Sequence, residues 1–481
     1  MSRATTLIVL LLAAFTAGCA SYSGIHGEER TITPDSLAVD SKVTEDGVFV
    51  EGDWPQSDWW STFGDPKLDA LVTRALADNP SLHAAEARVR AARSLANAAR
   101  SSLFPRLDAN ASASSQRTSE NDVIFGPFGG QWINQGRATL DFSYEFDFWG
   151  RYRNELRAAL GDARAAHADA AAARLVLAAA VAQSYFQLQT DIAAAEVARQ
   201  TLAERENLSA LNRERARRGL EATIPVRQSD EQVASSRVEV SAAETAVQVD
   251  RHALAALLGL GPDATLDVQP SLRTYDAALP LPTDLPANLL ARRPDVAAQR
   301  FRVEAAAARV GAARADFYPN VNLAAFVGLE SETLEGFEVF NKGSRIAGVA
   351  PALNLPLFDA GRRRANLQAR YDEYDVAVTQ YNQTLVDAVQ QVSDQIVSLR
   401  AIRQQLTNQA DAHAAAADAY RLTLDRYRAG LTNYLDVLVN EERLLAERQR
   451  QVQLEGRSLS LVVEVFRALG GGYRMTESTT P

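Results

Sequence analysis

Hydrophobic and polar residues alternate strictly in one stretch of the first half of the chain. In residues 140–148 every even position is apolar and mostly aromatic, whereas the odd positions between them are polar. This period of two predicts a β-strand with one apolar face, about as long as a tilted strand that crosses a bilayer. Weaker alternation elsewhere predicts three more strands, so that we expect strands at about 106–118, 137–148, 320–330 and 346–357. Polar, glycine-containing loops separate the members of each pair.

Two very long helices follow the strand pairs. Residues 150–217 and 361–428 contain no proline, and small or apolar residues recur every three or four positions along 163–184. At about 1.5 Å per residue each helix would be roughly 100 Å long, which is a coiled-coil element and not a globular one. Gly219 and Gly430 come where a left-handed residue would end such a helix. Returning helices complete two helix pairs, at 150–258 and 361–469.

The chain is an internal duplication. Three glycine positions recur at a constant offset of 211 residues: Gly150 and Gly361, Gly219 and Gly430, Gly259 and Gly470. Each copy contains a helix, a strand pair and a long helix pair, and a proline-rich stretch joins the copies. We therefore divide the chain into an N-terminal segment at 19–66, a first repeat at 67–261, a linker at 262–285, a second repeat at 286–470 and a C-terminal tail at 471–481.

The N-terminus carries an export signal. Arg3 precedes an apolar run that is too short to span a bilayer as a helix, and small residues follow it, so residues 1–18 are predicted to be a signal peptide. The run Thr16-Ala17-Gly18-Cys19 resembles the bacterial lipobox, which implies a covalent lipid on Cys19 and sorting to the outer membrane. Ordinary signal cleavage, or a buried and inert cysteine, is the alternative.

Composition excludes several classes of function. The net charge is −10, which argues against a nucleic-acid binder. One cysteine and five scattered histidines give neither a disulfide framework nor a metal-ligand spacing. No phosphate-binding loop, catalytic triad or isolated carboxylate pair is present, so we expect neither an enzyme nor a metal or other cofactor. We expect no helix to span a membrane.

Four strands of one chain cannot form a closed membrane barrel. The smallest membrane barrels have about 8 strands, and open strand edges are not tolerated in hydrocarbon. A membrane protein of this kind must therefore combine the strands of two or three copies, a choice that the strand count leaves open. A soluble sheet with one face in water is the alternative, but the export signal favours the membrane.

Several motifs resemble the outer membrane efflux proteins, the TolC-like family, in its NodT/OprM-type lipoprotein branch. They are RRPDV at 292–296, VGAARA at 310–315, FYPN at 317–320, FDAGRR at 358–363 and RYRAGLTNYLDVL at 426–438. The resemblance implies a homotrimer with a twelve-stranded outer-membrane β-barrel and a periplasmic α-helical barrel. It also implies a passive exit duct whose partners are a periplasmic adaptor and an inner-membrane pump of the resistance-nodulation-division type.

The same resemblance implies a periplasmic gate at the helix-turn tips, near Gly219 and Gly430. Arg426 and Tyr427 match positions that link neighbouring helices, and Leu435 matches an apolar constriction. The family often has an aspartate one turn later, where this chain has Val439, so an acidic ring at that level is in doubt. Asp436, Glu441 or Glu442 would then supply the negative charge, although Glu441 above all is expected on a solvated helix face.

Two other functions fit parts of this pattern. A periplasmic adaptor lipoprotein, or a coiled-coil scaffold of a secretion complex, would also have a helical hairpin and an anchor. An adaptor would lack two aromatic strand pairs and would have β-rich domains around a single hairpin. A secreted enzyme with a helical stalk would need a unique catalytic domain, for which a duplicated chain leaves no room.

Overall fold

The computed structural model describes residues 21–33, 49–121, 129–265, 275, 279–281, 292–331 and 340–475. The signal peptide at 1–18, Cys19, most of the linker and the last residues of the tail lie outside the described residues. In chain order the main elements are β1 (Phe49–Glu51), α1 (Pro66–Asp78), α2 (Pro80–Ser101), β2 (Arg106–Arg117), β3 (Trp132–Phe146), α3 (Arg151–Arg217), α4 (Thr223–Leu257), β4 (Leu279–Leu281), α5 (Pro294–Ala315), β5 (Asn320–Ser331), β6 (Arg345–Asn354), α6 (Arg362–Arg428) and α7 (Tyr434–Ala468).

The chain forms two compact units, and each unit contains parts of both repeats. The first, here called the sheet unit, consists of Met1–Thr31, Arg90–Ala165 and Arg300–Gln380. The second, the hairpin unit, consists of Ile32–Val89, Ala166–Gln299 and Tyr381–Pro481. Strands from the two repeats therefore share one sheet, and the greater part of each long helix, from residue 166 in α3 and from residue 381 in α6, belongs to the hairpin unit.

The sheet unit contains a four-stranded antiparallel sheet in the order β2-β3-β5-β6. The pairing of β3 with β5, in which Leu140 lies opposite Val327, joins the two repeats. Strand β3 begins at Trp132 and not at about 137, because β2 continues to Arg117 and pairs with Trp132. Strand β6 ends at Asn354, before the predicted 357, where Pro356 has no N–H to continue the ladder. Strands β2 and β6 are the edges of this sheet.

The two faces of the sheet differ in chemistry. One face carries Leu107, Leu140, Val327, Val349 and Leu353, all exposed, the last two at 73% and 69%. On the other face the Asn110 amide and the Thr139 hydroxyl donate hydrogen bonds to Asp141, at 2.7 and 2.8 Å. Arg137 lies 3.7 Å from Glu330 on that polar face and covers the ring of Phe326. The alternation predicted from the sequence therefore separates an apolar face from a hydrogen-bonded one.

The helix pairs of the two repeats have equal lengths. Helices α3 and α6 each contain 67 residues, and α4 and α7 each contain 35. The core of the hairpin unit includes α1, α3 and α7, where the ring of Trp59 stacks on Phe466 at 5.3 Å and the Tyr185 hydroxyl donates to Asp65 at 2.7 Å. Gly456 allows α7 to contact Thr190 of α3 directly, because a β-carbon there would collide with the threonine side chain.

Helix α3 contains a segment that the sequence analysis did not anticipate. By length and composition it is apolar enough to cross a membrane, with a window of mean hydropathy 1.4 of which 39% is buried within the protein. Length and composition alone decide this property, so it does not overturn the expectation that no helix spans a membrane. Alanine accounts for the result, since α3 is rich in this residue, and Val181, Ala182 and Leu188 of the helix are fully buried in the core of the hairpin unit. Their burial is that of a core helix.

Candidate functional site

The two helix-turn tips have the same backbone geometry. Gly219 and Gly430 both have positive φ, at 71° and 73°. The amide of Leu220 donates to the carbonyl of Arg215 at 2.9 Å, and that of Leu431 to the carbonyl of Arg426 at 2.8 Å. This six-to-one bond with a left-handed residue is a Schellman motif, which needs glycine because a β-carbon would strain the left-handed conformation. Both turns belong to the hairpin unit.

Tyr427 connects the two tips within one chain. Its side chain is 1% exposed, and its hydroxyl lies 2.7 Å from Asn212 Oδ1 and 2.8 Å from Glu221 Oε2. One hydroxyl proton cannot serve two acceptors. Turning the Asn212 amide so that Nδ2 faces the hydroxyl removes the conflict, because this buried nitrogen has no other hydrogen-bond partner among the described residues. The hydroxyl then donates to Glu221 and accepts from Asn212.

Arg215 completes this junction. Its guanidinium lies 4.7 Å from the centre of the Tyr427 ring, its Nη1 donates to the Tyr427 carbonyl at 3.3 Å, and its Nε lies 3.4 Å from Glu221. Burial, with the hydrogen bond to Glu221 as a second cause, raises the pKa of Tyr427 above its usual value, so the hydroxyl remains a donor. The α3–α4 turn and the end of α6 are therefore joined by one charged and hydrogen-bonded group.

Glu441 is buried, which contradicts the expectation of a solvated helix face. It is 3% exposed and lies 3.4 Å from the Nε of Arg205, which is 5% exposed. The reason is the spacing of the buried residues of α7, because Tyr434, Val437, Glu441 and Leu444 follow each other at intervals of three and four. Glu441 thus belongs to the stripe that packs against α3.

Neither carboxylate oxygen of Glu441 has a hydrogen-bond donor among the described residues. The guanidinium of Arg205 donates instead to the hydroxyl of Ser236 on α4, at 2.8 Å. Burial raises the pKa of Glu441 above its usual value, Arg205 lowers it, and Glu204 and Glu442 raise it further. Burial and Glu441 together raise the pKa of Tyr420 on α6 and of Tyr434 on α7 to about 12, so both stay neutral near pH 7.

The other predicted gate residues lie on the exposed side of the tip. Leu435 and Val439 are 57% and 38% exposed, and Glu442 shares their stripe on α7. Asp436 is also exposed, and it belongs to the start of α7, where its amide donates to the Asn433 side chain at 3.0 Å and its carboxylate accepts from the Thr432 hydroxyl. Arg426 is exposed as well, so Arg426 and Tyr427 do not act together within one chain.

Sequence reasoning missed the partners of Tyr427. These partners, Asn212, Arg215 and Glu221, belong to the first repeat, whereas all the motifs that resemble the family lie in the second repeat. The repeat offset could have found one of them, because Arg215 and Arg426 are 211 positions apart and are equivalent. The described residues contain no group of three or more histidine, cysteine, aspartate or glutamate side chains that could hold a metal ion.

Comparison with known proteins identifies the family. A family model described as outer membrane efflux protein matches residues 71–260 and 285–471. The chain belongs to the outer membrane efflux protein family. It is an efflux channel, located in the outer membrane and extending into the periplasm. The two matched segments correspond to the two repeats, and the match favours this channel over an adaptor, a scaffold or a stalked enzyme.

Individual relatives agree with this family. The fusaric acid resistance protein FusA of Burkholderia cepacia is 35% identical over 374 residues, which cover 76% of this chain and 68% of that protein. The multidrug resistance outer membrane protein MdtP of Escherichia coli strain K12 is 29% identical over 488 aligned positions, which cover 98% and 97% of the two chains. The crystal structure of VceC from Vibrio cholerae superposes with a TM-score of 0.82 at 35% identity, covering 88% of this chain and all of that one.

The first prediction concerns the Tyr427 hydroxyl in this efflux channel. Tyr427→Phe leaves the partly buried carboxylate of Glu221 and the buried amide of Asn212 without their shared partner, which should cost about 1–3 kcal/mol of local stability. We expect faster hydrogen exchange in both hairpin turns and a higher ion conductance in planar bilayers. Tyr434→Phe is the matched control, since Tyr434 is buried in the same apolar cluster and its hydroxyl makes no hydrogen bond to the part of the chain that the structure describes. Equal effects of the two substitutions would contradict the junction.

The second prediction concerns pH. Because the pKa of Glu441 is higher in the packed hairpins than in water, the packed state binds the proton more tightly. Acidification through this raised pKa should therefore stabilise the packed hairpins, and raising the pH above it should remove that stabilisation. We expect conductance to fall as the pH is lowered through the raised pKa of Glu441.

The control for the pH effect separates Glu441 from its neighbours. Glu441→Gln should be insensitive over this range, because a neutral amide replaces the titrating group. Glu442→Gln, which changes the adjacent exposed carboxylate, should keep a pH response but move it to lower pH, because Glu442 no longer raises the pKa of Glu441. A pH response that survives Glu441→Gln would assign the titration to another group.

Proposed function

We propose that this chain is the outer-membrane exit duct of a tripartite efflux pump and works as a homotrimer. Four strands from each of three copies form a twelve-stranded barrel in the outer membrane, and the long helix pairs form a tunnel in the periplasm. A lipid on Cys19 anchors each copy. A periplasmic adaptor and an inner-membrane pump of the resistance-nodulation-division type are the partners, and small toxic compounds or drugs are the cargo.

The observation that supports this proposal is the chemistry of the sheet. It has two edges, β2 and β6, and an exposed apolar face. Backbone groups at an edge need partners inside a membrane, where no water is available, so one chain is incomplete in lipid. An antiparallel sheet whose edges meet those of other copies has no unpaired edge and places its apolar face toward the acyl chains.

The chemistry of transport in this proposal is passive. The chain has no phosphate-binding loop that would bind ATP, so the inner-membrane partner supplies the energy. The polar face of the sheet, with Arg137, Asp141 and Glu330, lines a water-filled pore. No reaction and no cofactor beyond the covalent lipid is required.

The tip of the hairpin unit is the proposed gate. The exposed stripe of Leu435 and Val439 forms the apolar constriction, and Asp436 and Glu442 place negative charge beside it. Opening requires the hairpins at Gly219 and Gly430 to separate, which breaks the group around Tyr427. The exposed guanidinium of Arg426 is free to reach a neighbouring copy in the trimer, which is the role that the family resemblance implies.

The third prediction tests which sheet face meets lipid. Val349 lies on the apolar face and the adjacent Ala350 on the polar face, so the same substitution can be made on both sides. An arginine on the lipid face should cost about 2–4 kcal/mol per copy near the bilayer midplane. We expect Val349→Arg to reduce the amount of SDS-resistant oligomer in the outer-membrane fraction several-fold.

Ala350→Arg is the control, and it should leave the oligomer intact while changing the conductance or ion selectivity. Unheated and heated gel samples of both variants, with the oligomer mass from native mass spectrometry, provide the measurement. A monomer that stays compact and soluble without lipid or detergent would refute the proposed barrel. A dimer would retain the barrel and correct the number of copies.

A further inference from the structure

The segment that follows the proposed lipid site packs along the sheet unit. The rings of Tyr22 and Phe317 meet edge to face at 5.4 Å, and the hydroxyls of Tyr22 and Tyr318 are 3.1 Å apart. Tyr22 and Ile25 cover a small apolar cluster that is formed by the end of α5 and the start of α6. Its buried members are Val310, Ala313, Phe317, Leu367 and Tyr371.

Polar contacts hold the backbone of the same segment. The guanidinium of Arg364 donates to the carbonyls of Ser21 and Ser23. The carboxylate of Asp375 accepts from two successive amides, those of Glu28 at 2.9 Å and Glu29 at 3.2 Å. Hydrogen bonds from two N–H groups to one ionised carboxylate are charge-assisted and stronger than neutral ones. Side chains of α6 thus bind main-chain atoms at both ends of the segment.

The fit at Gly27 is close. A β-carbon at this position would lie 2.8 Å from an oxygen of Asp375 and 3.4 Å from the rings of Tyr371 and Tyr374. Any larger side chain there would displace the Asp375 carboxylate from the two backbone amides that donate hydrogen bonds to it. The groove therefore selects a particular backbone path, which a non-specific surface association would not do.

We propose that residues 21–31 are a clamp that fixes the lipid-bearing N-terminus beside the junction between the sheet strands and α6. This proposal rests on the proposed lipid at Cys19. Two peptide units separate Cys19 from Ser21, so their Cα atoms are at most about 7 Å apart. The first residues of the clamp contact Tyr318, which lies just before β5, and Arg364, which lies in the first turn of α6. The acyl chains on the nearby Cys19 must therefore enter the membrane next to the ends of the strands. The anchor and the barrel then move as one body.

Asp375 is the positioning residue of this clamp, and Asp372 on the same helix is its matched control. Asp372 is exposed and accepts only from Gln368 of its own helix, at 2.8 Å, among the described residues. Asp375→Asn keeps the size of the side chain but removes the charge that binds two amides. Gly27→Val disrupts the same contact by placing a larger side chain of the N-terminal segment against the Asp375 carboxylate, and it leaves the residues of α6 unchanged.

The experiment measures trypsin cleavage after Arg30 in the full-length, lipidated protein in nanodiscs, with the cut quantified by mass spectrometry. Cleavage requires the clamp to leave its groove, so its rate reports the open population. We expect Asp375→Asn and Gly27→Val to be cut about tenfold faster than the unmodified chain, and Asp372→Asn at the unmodified rate. Cleavage of Asp375→Asn and Gly27→Val at the unmodified rate would overturn the clamp.

A lipid-free form separates the clamp from the anchor. Residues 20–481 secreted behind an ordinary signal peptide keep every clamp contact but lack the lipid, and we expect them to be cut after Arg30 at the lipidated rate. Loss of protection in this form would mean that the lipid holds the segment and that the groove does not. Oligomer mass and conductance of the same samples test the channel independently, so failure of the clamp and failure of the proposed duct give different results.

Discussion

Unsatisfied backbone groups at two strand edges are the constraint on which the rest of this protein depends. Strands β2 and β6 each present N–H and C=O groups that have no partner strand in the sheet, and the face beside them is apolar. Water can form hydrogen bonds with the strand edges, but exposing the apolar face to water is unfavourable. Lipid acyl chains accommodate the apolar face but cannot form hydrogen bonds with the edges. The proposed association of several copies would satisfy both the edges and the apolar face.

The two repeats share the same backbone pattern, but they differ in the side chains at their helix-turn tips. The helix pairs have identical lengths, and both turns use the same glycine geometry. At the tips, however, equivalent positions differ: Tyr427 corresponds to Ala216, and buried Glu441 to the less buried Asp230. Arg215 packs on Tyr427 while its equivalent Arg426 is exposed. The link between the repeats therefore joins unlike residues and is not symmetric.

Local patterns in the sequence predicted most of the fold. Strict alternation at 140–148 identified β3 and absence of proline identified α3 and α6, because these signals depend on neighbouring residues only. The repeat offset identified both turns, because it compares residue types along the chain and needs no knowledge of contacts. The environment of Glu441 was predicted wrongly, since its charge was weighed and its place in the buried stripe of α7 was not. The partners of Tyr427 could not be predicted, because Asn212 and Glu221 are more than two hundred positions away and nothing local marks them.

The amino-acid sequence alone determined the duplicated architecture, the strand faces, the helix lengths and the family, because periodicity, proline and glycine placement and motif spacing are properties of the chain itself. Only the tertiary structure showed that each compact unit contains parts of both repeats. It also placed Glu441 against Arg205 in the interior, and it brought Asp375 to the backbone amides of the N-terminal segment. These contacts join residues that are distant along the chain. Their free energy depends on desolvation and geometry, which exist only once the helices are packed together.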